Sequence, residues 1–97
     1  MNKTDYLLTC LAEESGEITQ AVGKALRFGL EDGYPQTGRT NRTDIQAELN
    51  DLFALVELLQ SQNVLIEADR AAIDRKKEKV LYWMKYSAER GRLDPVF

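Results

Sequence analysis

The chain has no histidine and a single cysteine among its 97 residues. These two scarcities exclude a Cys/His zinc site and a di-iron site of the Glu-x-x-His kind. A lone cysteine also excludes an intrachain disulfide. Cys10 falls in the apolar pattern of a helix and reads as a buried structural thiol. No apolar run is long enough to cross a membrane and no signal peptide is recognisable, so the expected compartment is the cytoplasm. There is no excess of positive charge: the net charge is −3, which argues against general nucleic-acid affinity. Internal repeats and low-complexity segments are absent.

What is present has the composition of a folded chain. Hydrophobic residues make up 43% and charged residues 30%, which fits one small domain. Apolar periodicity predicts three helices, over about 4–28, 44–62 and 67–90, so the expected class is all-α. Asn2 or Thr4 can cap the first helix. Gly16 and Gly23 lie inside it, and Gly16 suits either close approach of a second element or simple exposure. Residues 29–43 read as a loop, because Gly29, Gly33, Pro35 and Gly38 interrupt any period. That loop carries Arg39 and Arg42 and is either a crossover between helices or a lid over an anion. Thr43 with Gln46 has the pattern of a capping box for the second helix, and Asn63 suits its C-terminal turn. A domain of this size with three wide apolar stripes leaves part of them uncovered, so a second copy of the chain is expected to cover the rest.

Two stretches stand out against this background. They are Glu13-Glu14-Ser15-Gly16-Glu17 and Glu48-Leu49-Asn50-Asp51. At about 100° per residue, Leu7, Leu11, Ile18, Ala21 and Ala25 all fall within roughly 60° of Glu14. Ile45, Leu52, Leu55 and Leu59 surround Glu48 in the same way. Glu17 and Asp51 each lie one turn further along, about 60° to the side. A single glutamate in an apolar stripe is ordinarily a boundary residue paired with a lysine. Two pairs in the same phase on two helices point instead to converging carboxylates, which need cations, hydrogen-bond donors or protons. With oxygen as the only donor atom, the fitting ion is a hard one, Mg²⁺ or Mn²⁺.

The basic residues are unevenly placed. Seven of the thirteen lie between Arg75 and Arg92, with only Glu78 and Glu89 to oppose them. Ile73, Val80, Met84 and Ser87 mark the expected inner face of the third helix. Lys76 and Lys77 fall within about 60° of Val80, with Lys79 and Trp83 beside them. Such lysines either snorkel past the edge of the core or reach an anion. Lys24 and Arg27, near the Glu17 side of the first helix, admit two readings as well: helix support and dipole matching, or phosphate contact.

Glu-Glu-x-x-Glu followed some thirty residues later by Glu-x-x-Asp resembles the signature of the MazG-like all-α nucleoside triphosphate pyrophosphohydrolases. The likeness covers residues 11–29, including Lys24, Arg27, Phe28 and Gly29, and residues 44–59. The resemblance implies an antiparallel helical bundle of three main helices, completed by dimerisation or tetramerisation. It implies Glu14, Glu17, Glu48 and Asp51 as metal ligands, and Glu13 as the accessory group that orients or deprotonates water, with Glu17 also close to the chemistry. Basic residues of the last helix, here Lys76, Lys77 or Lys79, would join Lys24 and Arg27 at the phosphates. Tyr6 and Phe28 are candidates for the base pocket. The implied reaction converts a (d)NTP and water to a (d)NMP and pyrophosphate, in sanitation or control of the nucleotide pool. The competing readings are a helical dimer that binds metal or nucleotide without turnover, as a regulatory module, and an interaction module built on the basic last helix.

Overall fold

A computed structural model describes residues 1–95. It contains three α-helices and one two-stranded sheet, in the order α1 (Lys3–Phe28), β1 (Gly33–Tyr34), β2 (Arg39–Thr40), α2 (Asn41–Ser61) and α3 (Arg70–Glu89). The chain divides into two compact units, residues 1–66 and residues 67–97. None of the described helices is long and apolar enough to cross a membrane.

The first unit is a helical hairpin. Asn2 starts α1, its side-chain oxygen accepting the Asp5 amide N–H at 2.8 Å. At the far end Gly29 takes φ 98°, a value that disfavours any residue with a Cβ. The expected stripe of α1 does face inward: Leu7 and Ala25 are buried, and Leu11, Glu14, Ile18 and Ala21 are half-buried. On α2, Ile45, Glu48, Leu52, Leu55 and Val56 are half-buried, and Leu59 is fully enclosed at 0% exposure. Cys10 is half-buried, short of the full burial its position suggests. Gly16 is not a point of close approach within the chain, since a Cβ there would meet nothing within 4 Å.

The connection expected as a plain loop over 29–43 is instead a small antiparallel hairpin. Gly33 pairs with Thr40 and Tyr34 with Arg39. The Thr37 N–H and hydroxyl both donate to the Tyr34 carbonyl, at 3.0 and 2.9 Å, and close the turn. Gly33 is required because a Cβ there would collide with the Arg39 carbonyl across the pair. The base of the hairpin is fastened by Asn41. Its N–H donates to the Asp32 carbonyl at 2.8 Å and its side-chain amide to the Gly29 carbonyl at 2.9 Å. Asn41 is buried, so both donors are satisfied where water does not reach. These bonds tie the end of α1 to the start of α2 and return the second helix along the first.

Helix α2 also begins earlier than the expected position 44. Its N-cap is Thr40, and the capping box joins Thr40 to Thr43 instead of Thr43 to Gln46. Thr43 donates its hydroxyl to the Thr40 carbonyl at 2.9 Å and accepts the Thr40 N–H at 2.9 Å. The Gln46 amide reaches forward to Asn50 at 2.9 Å. The helix ends as Asn63 suggests, with Asn63 at φ 58°. The Val64 N–H donates to the Leu59 carbonyl at 3.0 Å, and that of Asn63 to Gln60 at 3.0 Å. This is the paired arrangement in which a left-handed residue satisfies the last carbonyls of a helix.

The second unit is α3 and its flanks. It starts three residues later than expected, because the Asp69 carboxylate accepts the N–H groups of Ala71 and Ala72 at 2.9 and 3.3 Å. The same left-handed termination closes it at Gly91, φ 73°, with the Arg92 N–H on the Ser87 carbonyl at 2.9 Å. Of its expected inner face, Met84 and Ser87 are half-buried while Ile73 and Val80 are exposed. Trp83 packs edge-on between Tyr82 and Tyr86, at 5.1 and 5.3 Å between ring centres.

The Thr40→Ala substitution tests the revised cap. Loss of its side-chain acceptor is expected to destabilise the protein by about 1 kcal/mol, read as a lower urea midpoint with unchanged slope. An effect from Gln46→Ala instead would restore the cap to Thr43.

Candidate functional site

The site lies where the middles of α1 and α2 face each other. Glu14 and Glu17 stand one turn apart on α1, and Glu48 faces them from α2. One carboxylate oxygen from each of the three lies within 4.8 Å of the other two. Glu14 and Glu48 are half-buried and Glu17 is exposed, so the cluster opens on one side. The Oε2 atoms of Glu14 and Glu48 are shielded from solvent and have no hydrogen-bond partner among the described residues. A shielded carboxylate oxygen without a donor is costly.

Four donors on the two helices are turned elsewhere. The Ser15 hydroxyl donates to the Leu11 carbonyl and that of Thr19 to the Ser15 carbonyl, each at 3.0 Å. The Asn41 and Gln46 amides are used by Gly29 and Asn50. The carboxylates therefore answer mainly to one another. The Glu17 carboxyl titrates above its ordinary value of 4.5. The leading cause is a hydrogen bond with Glu48, which needs a proton on one of the two groups. The Glu48 charge, desolvation, and the Asp51 and Glu13 charges add to it in that order.

Asp51 and Glu13 are thus electrostatic neighbours of Glu17, but both are exposed and lie outside the close group of three. Lys24 sits further along α1 and lines a cavity of about 500 Å³ together with Glu17, Glu48, Arg39, Asn41 and Asp44. It forms no ion pair among the described residues. Arg27 is directed to the Phe28 ring, its guanidinium 4.8 Å from the ring centre. In the second unit, Lys76 and Lys77 border an apolar patch of Ile73, Val80 and Leu81 on α3. Lys77 is 4.0 Å from Asp74, and Lys79 is exposed.

Two groups that line this cavity lie on stretches read only as a loop and a helix start. Arg39 donates from Nε and Nη2 to the two Asp44 oxygens, at 3.2 and 3.4 Å. The Asp44 hydrogen bond, and then its charge, raise the Arg39 pKa further and keep it cationic. The signal that locates them is the Gly33…Gly38 turn chemistry around Tyr34 and Pro35, followed by Thr40-x-x-Thr43.

Three clustered carboxylates with two orphaned oxygens have the donor chemistry for a hard cation, and nothing in the triad alone selects a particular ion. No protein-family model, curated protein or solved structure matches the chain.

The Glu17 shift has a direct thermodynamic consequence. In the metal-free protein the folded state binds this proton more tightly than the unfolded chain does. The contribution to stability is therefore full below the unfolded value of 4.5 and is lost as pH rises through the raised folded value. Glu17→Gln removes the titration, so in EDTA its melting temperature should exceed that of wild type by a margin that widens as pH rises above 4.5. A margin independent of pH between about 3 and about 8, a span that brackets the ordinary glutamate range, would show that Glu17 does not interact with its neighbours.

Proposed function

We propose that this protein is a Mg²⁺-dependent nucleoside triphosphate pyrophosphohydrolase of the MazG-like kind, with Mn²⁺ as an alternative ion. It would convert a (d)NTP to a (d)NMP and pyrophosphate, in a cytoplasmic role of nucleotide-pool control or sanitation. The observation that carries this reading is the convergence of Glu14, Glu17 and Glu48 with two donor-free oxygens between them. Glu14, Glu17 and Glu48 would hold the cation, with Asp51 as a fourth carboxylate on the exposed side. A bound divalent cation would supply neutralisation of phosphate oxygens and a more acidic water.

The remaining roles belong to the chain itself. Lys24 projects into the same cavity without an ion-pair partner among the described residues, which suits a phosphate oxygen. Arg39 lines it too and keeps its charge. Glu13, exposed and close enough to raise the Glu17 pKa, would accept a proton from the attacking water or orient it. The water oxygen bonds to the α-phosphorus while the bond from that phosphorus to the α–β bridging oxygen breaks, and pyrophosphate leaves with the electron pair. Positive charge from Lys24 would stabilise the leaving group. Arg27, held against Phe28, is better placed to support that ring than to meet a phosphate.

Self-association into a dimer or tetramer belongs to the same reading. Apolar side chains on the first unit remain uncovered, among them Leu26 at 83% and Phe53 at 55% exposure. Light scattering should give two or four times the chain mass of 11.1 kDa. A mass of one chain at micromolar concentration would contradict the association.

Glu48→Gln is expected to abolish Mg²⁺-dependent turnover, by at least about 100-fold, while leaving the helical circular dichroism intact. Chromatography of the products with a panel of nucleotides decides the chemistry. Monophosphate and pyrophosphate support the reading. Diphosphate and orthophosphate would move the attack to another phosphorus, and full activity of Glu48→Gln would remove the site. Tight nucleotide binding with no product would leave a non-catalytic binding module.

A further inference from the structure

A second cavity, of about 550 Å³, adjoins the carboxylate cavity. The two share Lys24, Arg39, Asn41 and Asp44. Glu17 and Glu48 belong only to the first, and Phe28 and Tyr34 only to the second. Its size is in the range of small-ligand clefts, about 300–1,000 Å³. The shared residues impose an order: Glu17 and Glu48 at one end, Lys24 with the Arg39–Asp44 ion pair in the middle, and Phe28 and Tyr34, with Asp32, at the other. Along α1 the step from Glu17 to Phe28 is eleven residues, roughly 16 Å at 1.5 Å per residue. An Mg²⁺–nucleotide has the same polarity, with the metal on the phosphates and a flat base at the far end.

The aromatic end is built by the hairpin. Tyr34 leads into the turn, where the Thr37 N–H and hydroxyl hold its carbonyl. Arg39, its cross-strand partner, places its guanidinium 5.6 Å from the Tyr34 ring centre. Arg39 is in turn fixed by both oxygens of Asp44 at the start of α2. The ring is thus held from strand to helix although it is 62% exposed. Phe28, which also lines the cavity, is 56% exposed and is backed by Arg27. Two rings held by arginines and left open to solvent have no role in a core. Tyr6, the other aromatic candidate, lines neither cavity.

We infer that the 33–40 hairpin is a nucleobase subsite, in which Tyr34, with Phe28 lining the same cavity, stacks the base of the nucleotide whose phosphates reach Lys24 and Arg39. This inference rests on the nucleotide reading of the carboxylate site and adds to it the residues that recognise the base. Asp44 holds Arg39, and Arg39 in turn backs the Tyr34 ring.

The test compares two ligands by calorimetry in Mg²⁺: an α,β-methylene nucleoside triphosphate, which resists hydrolysis, and inorganic tripolyphosphate, which has no base. Wild type should prefer the nucleotide. Tyr34→Ala should weaken nucleotide binding by about 5- to 150-fold, the range for base–aromatic stacking, and leave tripolyphosphate binding unchanged. Tyr34→Phe should restore nucleotide binding, which a merely unfolded hairpin in Tyr34→Ala would not explain. Unchanged nucleotide affinity in Tyr34→Ala overturns the subsite, even where Glu48→Gln still abolishes binding of both ligands. Binding that needs Tyr34 but not Glu48 supports the subsite and overturns the carboxylate reading. No nucleotide binding by wild type overturns both.

Discussion

Three carboxylates face one another between α1 and α2, and two of their oxygens are cut off from water without a donor. This like-charge contact is the constraint on which the rest of the first unit turns. Glu14 and Glu48 occupy positions where Leu or Ile would bind the helices together, so the hairpin gives up apolar contact at the centre of its own interface. Protons or a cation would relieve the repulsion that such an arrangement carries. The Glu48 carboxylate raises the Glu17 pKa, so protonation of Glu17 is one means of relief and a divalent cation would be another. The same geometry is a weak point in the free protein and, on the proposed reading, the site an ion would take.

The opposition of the carboxylates depends on how the helices are joined. Asn41 anchors the return of the chain through two hydrogen bonds, and the Thr40–Thr43 cap starts α2 directly after the second strand. The hairpin between the helices therefore fixes their register and also places Arg39, Asp44 and Tyr34 beside the cluster. One short segment both aligns the site and extends it. This explains why a stretch of this length carries so many hydrogen bonds for its size, why Gly33 sits where a Cβ would collide, and why Asn41 is used for its side-chain bond to Gly29.

Much of this was legible in the amino-acid order. The in-phase stripes of α1 and α2 announced the faces of both helices, and with them the inward direction of Glu14 and Glu48. Asn63 marked the end of α2 through its tolerance of positive φ. The connecting hairpin was not legible as such, because strands of two residues show no periodicity and Gly, Pro and Thr signal any turn. Two threonines three residues apart, Thr40 and Thr43, formed the cap in place of Thr43 with Gln46. Local pattern does not distinguish these, whereas the position of the strand that precedes them does. Arg39 and Asp44 came to line the cavity by the fold of the hairpin, which helix periodicity does not report. The stripe of α3 was the least informative, since Ile73 and Val80, read as inward, are exposed.

The most direct test of the central claim is Mn²⁺ binding followed by electron paramagnetic resonance, which reports the ion independently of any turnover. Loss of the free-ion signal on adding wild-type protein, with that loss absent in Glu14→Gln and Glu48→Gln variants of unchanged helicity, is the predicted result. A free-ion signal undiminished by wild-type protein, or diminished equally by both variants, would contradict the account.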